Sequence, residues 1–234
     1  GCGSGPRLEV PTPPASHYTA MNPIGIHTVS ASEVCVVGNL TTVDGTPEGL
    51  ILASETSGST WHRRAVEVHD LRRVSFHTVY FGDRLRGWVA GIRVDEAGLT
   101  RPTVFRTEDG GNHWREVLLP QGNDVVVTEV HNLAFSSDRD GVVGVTLNEL
   151  STGLEKQTYF TTQDAGRSWT AQNFHEEPKA PAFDHTSSFI DAKRGYRLVK
   201  TAIPGVSMVE ITGSGGKDWM PVSELTLSSL STYY

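Results

Sequence analysis

The sequence predicts an all-β protein, a β-propeller of four four-stranded antiparallel blades. A short phrase that closes on tryptophan returns four times, and its tryptophans stand 53, 55 and 50 residues apart (Trp61, Trp114, Trp169 and Trp219). A period near 50 residues is typical of propeller blades. Each repeat also carries four short apolar segments separated by glycine-rich turns. Sheets of this size bury both faces when they pack around a common axis.

The strands are predicted in the same order within every repeat. The first strand opens at a histidine (His27, His77, His131 and His185), and in the last three repeats the second begins at a glycine ten residues later (Gly87, Gly141 and Gly195). The third strand runs into the tryptophan phrase and the fourth leaves it. We therefore expect one propeller domain over residues 24–234, preceded by an N-terminal tether over residues 1–23. An incomplete ring, completed by terminal strands or by a partner, is the structural alternative.

The tryptophan phrase resembles the Asp-box, or BNR repeat. The two well-matched copies, in repeats two and three, carry Asp109, Gly111 and Trp114, then Asp164, Gly166 and Trp169. Repeats one and four have Thr56 and Ser214 in place of the aspartate. We expect the aspartate to accept backbone N–H bonds, the glycine to adopt a left-handed conformation and the tryptophan to pack beneath the turn. These roles are structural, so the sequence predicts no catalytic residue and no enzyme.

One repeat carries a more specific resemblance. Before its Asp-box, repeat two has a pattern of valine, aromatic, aspartate, glycine and tryptophan at Val79, Phe81, Asp83, Gly87 and Trp88. This combination is similar to the photosystem II stability and assembly factor family, over about residues 24–225. The resemblance implies a propeller without known catalysis that binds membrane protein subunits on the periplasmic or lumenal side. That family has seven blades, whereas this chain has four repeats.

The alternative function is that of a carbohydrate-binding or sialidase-like glycoside hydrolase propeller, since Asp-boxes also occur in sialidases. A sialidase, as that family implies, needs an arginine triad, a tyrosine–glutamate pair, an acid aspartate and six blades. This chain has neither six repeats nor an Arg-Ile-Pro segment. Sugar-stacking candidates on this alternative are Tyr80, Trp88 and Tyr196.

The four repeated histidines suggest a further alternative. If the first strands line the axis, His27, His77, His131 and His185 face a common channel that could hold a metal or an anion. The simpler interpretation is that each histidine satisfies a backbone group repeated by duplication. We therefore predict no metal and no cofactor.

The N-terminal sequence indicates a cellular location, and the net charge of the chain limits the kind of partner. Cys2 lies in a glycine-rich start followed by a proline-rich stretch, which resembles the processing point of a bacterial lipoprotein; a cloning remnant or an ordinary flexible terminus is the alternative. The lipoprotein interpretation predicts a periplasmic or cell-envelope protein tethered to a membrane. The net charge of −7 argues against a nucleic-acid partner.

The predicted function is docking. We expect a non-enzymatic extracytoplasmic propeller that helps assemble or stabilise a membrane protein complex, such as a photosystem or reaction centre. The candidate docking loops are inserts between second and third strands, at residues 41–48, 94–102 and 148–156. Loops on a rigid frame suit recognition.

Overall fold

The computed structural model describes residues 17–64, 71–122, 124–172, 186–191 and 193–230. These residues form four four-stranded antiparallel sheets, which we call blades 1 to 4, and each sheet follows the chain order. The predicted fold class, a four-blade propeller-like all-β fold, is confirmed. Among the described residues, no helix is long and apolar enough to cross a membrane.

The strand bounds are as follows. Blade 1 contains β1 (Tyr18–Thr28), β2 (Val34–Thr42), β3 (Pro47–Ser54) and β4 (His62–Arg63). Blade 2 contains β5 (Val74–Phe81), β6 (Gly87–Val94), β7 (Thr100–Thr107) and β8 (Arg115–Leu118). Blade 3 contains β9 (Val125–Phe135), β10 (Gly141–Glu149), β11 (Glu155–Thr162) and β12 (Thr170–Gln172). Blade 4 contains β13 (Ser187–Phe189), β14 (Gly195–Lys200), β15 (Ser207–Thr212) and β16 (Met220–Leu225), followed by one helical turn, α1 (Leu227–Leu230).

Two sequence expectations about the first strands need correction. β1 starts at Tyr18, so the predicted domain start at residue 24 falls inside this strand. His27, His77 and His131 do not open their strands, because the apolar residues before them are already paired and buried. In blade 2, for example, β5 begins at Val74, and His77 is the extra residue where the register shifts between Phe76 and Thr78. An extra residue of this kind is a β-bulge, which re-aims its side chain.

The glycines that begin the second strands have a clear steric reason. In blades 2 to 4 the last residue of the first strand is a phenylalanine that pairs with this glycine. A Cβ added to Gly87 would lie 2.4 Å from the ring of Phe81, and one added to Gly141 would lie 2.6 Å from that of Phe135. Glycine is therefore required where the phenylalanine ring folds over the neighbouring backbone.

Three hydrophobic clusters hold the blades together. One joins blades 4 and 1, a second joins blades 1 and 2, and a third joins blades 2 and 3. Blade 1 thus lies between blades 4 and 2, with Val36 and Leu52 on one face and Val37 and Ile51 on the other. Within the described ranges, no comparable cluster joins blades 3 and 4.

Candidate binding surface

All four tryptophan phrases form the same turn, which we call the Asp-box turn. In each, the hydroxyl of the first residue accepts a hydrogen bond from the glycine amide four residues later, at 2.9 Å for Thr107 and Gly111 and 3.0 Å for Thr212 and Gly216. Two consecutive residues in every turn have positive φ, such as Ser57 and Gly58. The predicted left-handed glycine is therefore part of a two-residue left-handed segment.

The degenerate copies keep the central hydrogen bond. Asp109 Oδ1 accepts from the His113 amide at 2.9 Å, and Asp164 Oδ1 accepts from the Ser168 amide at 2.9 Å. Thr56 Oγ1 and Ser214 Oγ accept the corresponding amide at the same distance, 2.9 Å. A hydroxyl oxygen is thus sufficient for this bond, and Thr56 and Ser214 take the place of the aspartate in the turn.

The carboxylates of the two aspartates accept hydrogen bonds from residues of their own turns. Burial opposes ionisation of Asp164, but hydrogen bonds from the Ser168 hydroxyl and amide and from Thr162 outweigh it and lower its pKa to about 2. Burial is likewise outweighed at Asp109, where bonds from His113 and Thr107 hold the pKa below its usual value. Both carboxylates are therefore ionised turn residues of separate blades.

The tryptophans of the first three turns pack against a neighbouring blade: Trp61 against blade 4, Trp114 against blade 1 and Trp169 against blade 2. Trp61, Trp114 and Trp169 are buried, at 5%, 1% and 6% exposure. Trp219 differs, because it is only partly buried and the Arg197 guanidinium lies 4.5 Å from its ring centroid. The first three tryptophans are interior plugs, and the fourth lies at the boundary of blade 4.

The three first-strand histidines that the structure describes contact neighbouring strands. His27 Nε2 is 3.1 Å from the carbonyl oxygen of Phe81 in blade 2, and burial lowers the pKa of His27 to about 4. His77 Nδ1 accepts from the Val130 amide of blade 3 at 3.3 Å, and His131 Nε2 lies 3.3 Å from Thr146 Oγ1. His185 lies outside the described residues. In the part of the chain that the structure describes, no three His, Cys, Asp or Glu side chains are grouped as a metal site.

Of the two cysteines, the structure describes Cys35 and not Cys2. Cys35 is buried between blades 1 and 2, and burial raises its pKa to about 12. Cys2 lies outside the described residues, so its lipidation stays a prediction.

The loops between second and third strands are tight hairpins rather than long inserts. They span residues 43–46, 95–99, 150–154 and 201–206, which we call hairpins 1 to 4, and the rest of each predicted docking loop belongs to the strands. Each hairpin contains one glycine with positive φ (Gly45, Gly98, Gly153 and Gly205). Cross-strand pairing therefore continues further than the polar sequence indicated.

The four hairpins define one end of the propeller. In an antiparallel four-stranded blade, the second-to-third connection lies at the end opposite to the Asp-box turn. The connections between blades also reach this end, as Gly49 N donates to Leu71 O at 3.0 Å and Leu150 N donates to Asp124 O at 2.9 Å. We call this surface the hairpin end and the opposite one the Asp-box end.

An open groove of about 430 Å³ lies between hairpins 1 and 2. Its walls include Pro47, Arg73, Val94 and Glu96. Arg73 is exposed and has a φ of 63°, a left-handed conformation that is uncommon for a residue other than glycine. Its amide donates to Pro47 O at 2.6 Å, which ties it to hairpin 1. Sequence reasoning missed Arg73, because nothing in its local pattern marks this backbone conformation.

The hairpins differ in charge: hairpins 1 and 2 carry charged residues, and hairpins 3 and 4 do not. Hairpins 1 and 2 carry acidic residues, and two of these form ion pairs, Asp44 with Arg72 at 3.0 Å and Asp95 with Arg101 at 3.1 Å. Glu96 is exposed and forms no ion pair with a described residue. Hairpins 3 and 4 contain no charged residue. The groove therefore lies in the charged half of this end.

The aromatic residues considered for sugar stacking are interior. Trp88 and Tyr196 are buried, and Trp88 Nε1 donates to Ala165 O of blade 3 at 3.0 Å. The Tyr80 hydroxyl donates to Phe135 O at 3.4 Å. Since these rings pack between blades, their faces are not open to a sugar.

Comparison with known proteins shows similarity in fold. No protein-family model matches the chain, and no curated protein matches it significantly. The chain is similar in fold to several solved structures. They include a Trypanosoma rangeli sialidase in complex with 2,3-difluorosialic acid, with 14% identity, a TM-score of 0.47, and coverage of 87% of this chain and 37% of the sialidase.

Two further solved structures are similar to the chain. A Dyadobacter fermentans protein of unknown function has 13% identity and a TM-score of 0.49, with coverage of 88% of this chain and 64% of that one. The sucrose-6-phosphate hydrolase of Lactobacillus gasseri has 13% identity and a TM-score of 0.41, with coverage of 85% and 43%. The chain thus spans less than two thirds of each of these proteins.

These comparisons correct one expectation. The sequence predicted that the chain is not an enzyme, but a sialidase and a sucrose-6-phosphate hydrolase are enzymes with this type of fold. Propeller architecture and Asp-box turns therefore give no ground for excluding catalysis. At 13–14% identity, the likeness concerns the fold alone.

Proposed function

We propose that this protein is an extracytoplasmic docking propeller that binds a membrane protein complex through the groove between hairpins 1 and 2 and helps to assemble or stabilise that complex. The observation that carries the proposal is the exposed Arg73, held in a left-handed conformation on the wall of this groove. Backbone strain of this kind costs free energy and concentrates at functional sites.

The groove has the chemistry of a protein-binding surface. Arg73 supplies a planar cation with several donors, and Glu96 supplies a carboxylate that forms no ion pair with a described residue, so a partner segment with both signs of charge would complement the groove. Pro47 and Val94 give the walls an apolar part. The hairpins stand on paired strands, which reduces the entropy lost on binding.

The sequence supports the choice of a membrane complex. Its resemblance to the photosystem II stability and assembly factor family favours a photosystem or reaction-centre partner on the periplasmic or lumenal side. A lipid on Cys2 would hold the propeller close to such a complex. The net charge of −7 favours a protein partner over nucleic acid.

The test compares charge variants in pull-downs from detergent-solubilised membranes of the source cells. We expect the wild-type protein to recover an integral membrane protein, identified by mass spectrometry, and the double variant R73E/E96K to lose it. Arg194→Glu is the matched control, because Arg194 is an exposed arginine at the Asp-box end. Recovery of no membrane protein by the wild type, or equal recovery by R73E/E96K, would overturn the proposal.

A second variant separates the backbone from the side chain. Arg73→Gly keeps the left-handed conformation without strain and removes the guanidinium. We expect this variant to fold at least as stably as the wild type and to lose recovery of the partner. Full recovery by Arg73→Gly would exclude Arg73 as a binding residue.

A further inference from the structure

The uncharged half of the hairpin end carries protruding aliphatic side chains. Leu150 and Leu154 of hairpin 3 and Ile203 of hairpin 4 are 54%, 59% and 64% exposed. Hairpin 3 reads Leu-Ser-Thr-Gly-Leu and hairpin 4 reads Thr-Ala-Ile-Pro-Gly-Val, so neither tip places a charge beside these side chains. Single exposed apolar residues are common, but uncharged tips on two hairpins at one end are a specific pattern.

The bases of the two hairpins are charged. Lys156 pairs with Glu149 at the base of hairpin 3, and the exposed Lys200 ends β14 at the base of hairpin 4. Glu155 is exposed beside Lys156. Asp124, whose carbonyl oxygen accepts a hydrogen bond from the Leu150 amide, and Glu224 of β16 are exposed at the same bases, so these bases carry more acidic than basic side chains.

We propose that hairpins 3 and 4 contact a lipid bilayer, with Leu150, Leu154 and Ile203 inserted between the headgroups of a zwitterionic membrane. Transfer of aliphatic side chains from water into the bilayer lowers the free energy, and a fluid bilayer can accommodate them without a shaped pocket. Lysine side chains at the base can reach headgroup phosphates while their stems cover apolar surface. This proposal uses a different half of the hairpin end and does not rest on the docking proposed above.

The negative net charge of the chain favours binding to a zwitterionic bilayer over an anionic one. A net charge of −7 repels an anionic surface, and the excess of acidic side chains at the base of the hairpins adds to that repulsion. Binding is therefore weaker on vesicles that contain phosphatidylglycerol than on phosphatidylcholine alone, and added salt reduces the difference by screening.

The test is flotation of the full chain with phosphatidylcholine vesicles. Every protein carries Cys2→Ser, so that no acyl chain at residue 2 contributes. The triple variant L150S/L154S/I203S removes the aliphatic tips, and the double variant L85S/M220S is the matched control, since Leu85 and Met220 are 59% and 62% exposed at the Asp-box end. We expect the triple variant to bind at least about tenfold more weakly and the control to bind like the parent.

A site-specific probe gives an independent readout. A polarity-sensitive dye on Leu154→Cys should shift to the blue when vesicles are added, and the same dye on Leu85→Cys should not. Absence of binding by the parent, equal binding by the triple variant, or equal dye shifts at both positions would overturn the proposal. Stronger binding to phosphatidylglycerol vesicles would also overturn it, since that result would indicate a basic surface.

Discussion

The indole Nε1 of Trp61 donates a hydrogen bond of 2.9 Å to Ser223 Oγ. This bond joins the Asp-box turn of the first blade to the last strand of the fourth, across 162 residues of sequence. Trp114 and Trp219 instead donate to the glycine carbonyls of their own turns, each at 3.1 Å. Among the described turns, that of blade 1 therefore fastens blade 4 directly.

Removal of the Trp61–Ser223 bond should lower the free energy of unfolding. We expect Ser223→Ala and Trp61→Phe each to cost about 1 kcal/mol through the lost hydrogen bond, with a further packing loss for Trp61→Phe. Urea denaturation of both single variants and the double variant measures the coupling. Strictly additive losses would contradict a direct bond between the two side chains.

The Asp-box of blade 3 should tolerate a hydroxyl better than a methyl group. Asp164→Ala leaves the Ser168 amide without its acceptor, and we expect a loss of about 1–2 kcal/mol. Asp164→Ser reproduces the residue that stands at Ser214 in blade 4, so its loss should be smaller. Thermal and urea unfolding rank the variants, and equal losses would show that the carboxylate itself is required.

Acid should destabilise the protein through His27. Burial lowers the folded-state pKa of His27 to about 4, whereas an unfolded histidine titrates near 6.5. Between these values the unfolded chain binds more protons, so the free energy of unfolding falls as the pH drops from about 6.5 to about 4, by roughly 3 kcal/mol at most. Asp164 extends this loss further towards its pKa of about 2.

Two histidine variants isolate this effect. His27→Gln should flatten the pH dependence of unfolding in that window, and the exposed His17 provides the control His17→Gln. Urea unfolding at several pH values is the measurement. An unchanged pH dependence in His27→Gln would assign the effect to other groups.

Cys35 should resist thiol reagents in the native protein. Its side chain is buried and its pKa is raised to about 12, so very little thiolate is present at pH 8. In a Cys2→Ser background, iodoacetamide should label Cys35 only in denaturant, as measured by mass spectrometry. Rapid labelling without denaturant would indicate frequent separation of blades 1 and 2.

Local sequence was sufficient for the Asp-box turns and for the glycines that begin the second strands of blades 2 and 3. Gly87 and Gly141 follow from the phenylalanine that each must accommodate, and the Asp-box phrases follow from hydrogen bonds within eight residues. Such features depend on neighbours in sequence, so a repeated pattern reveals them.

Features that depend on packing between blades were not predictable in the same way. The conformation of Arg73 depends on its bond to Pro47 O of the preceding blade. The position of His77 within β5 depends on a bulge that turns its ring towards the Val130 amide of blade 3. Cross-strand pairing shortened the hairpins, whose polar residues had suggested longer loops.

The hydrogen bonds shared by all four Asp-box turns have a consequence for the origin of the chain. Each turn requires only an oxygen at two side chains and two residues that tolerate left-handed geometry, and most of its partners lie within the turn. A gene segment that encodes one blade therefore also encodes most of the residues that form the hydrogen bonds of its Asp-box turn. Copying or deleting such a segment would change the circumference of the molecule without any redesign of the turn, and individual copies could then drift from aspartate to serine or threonine.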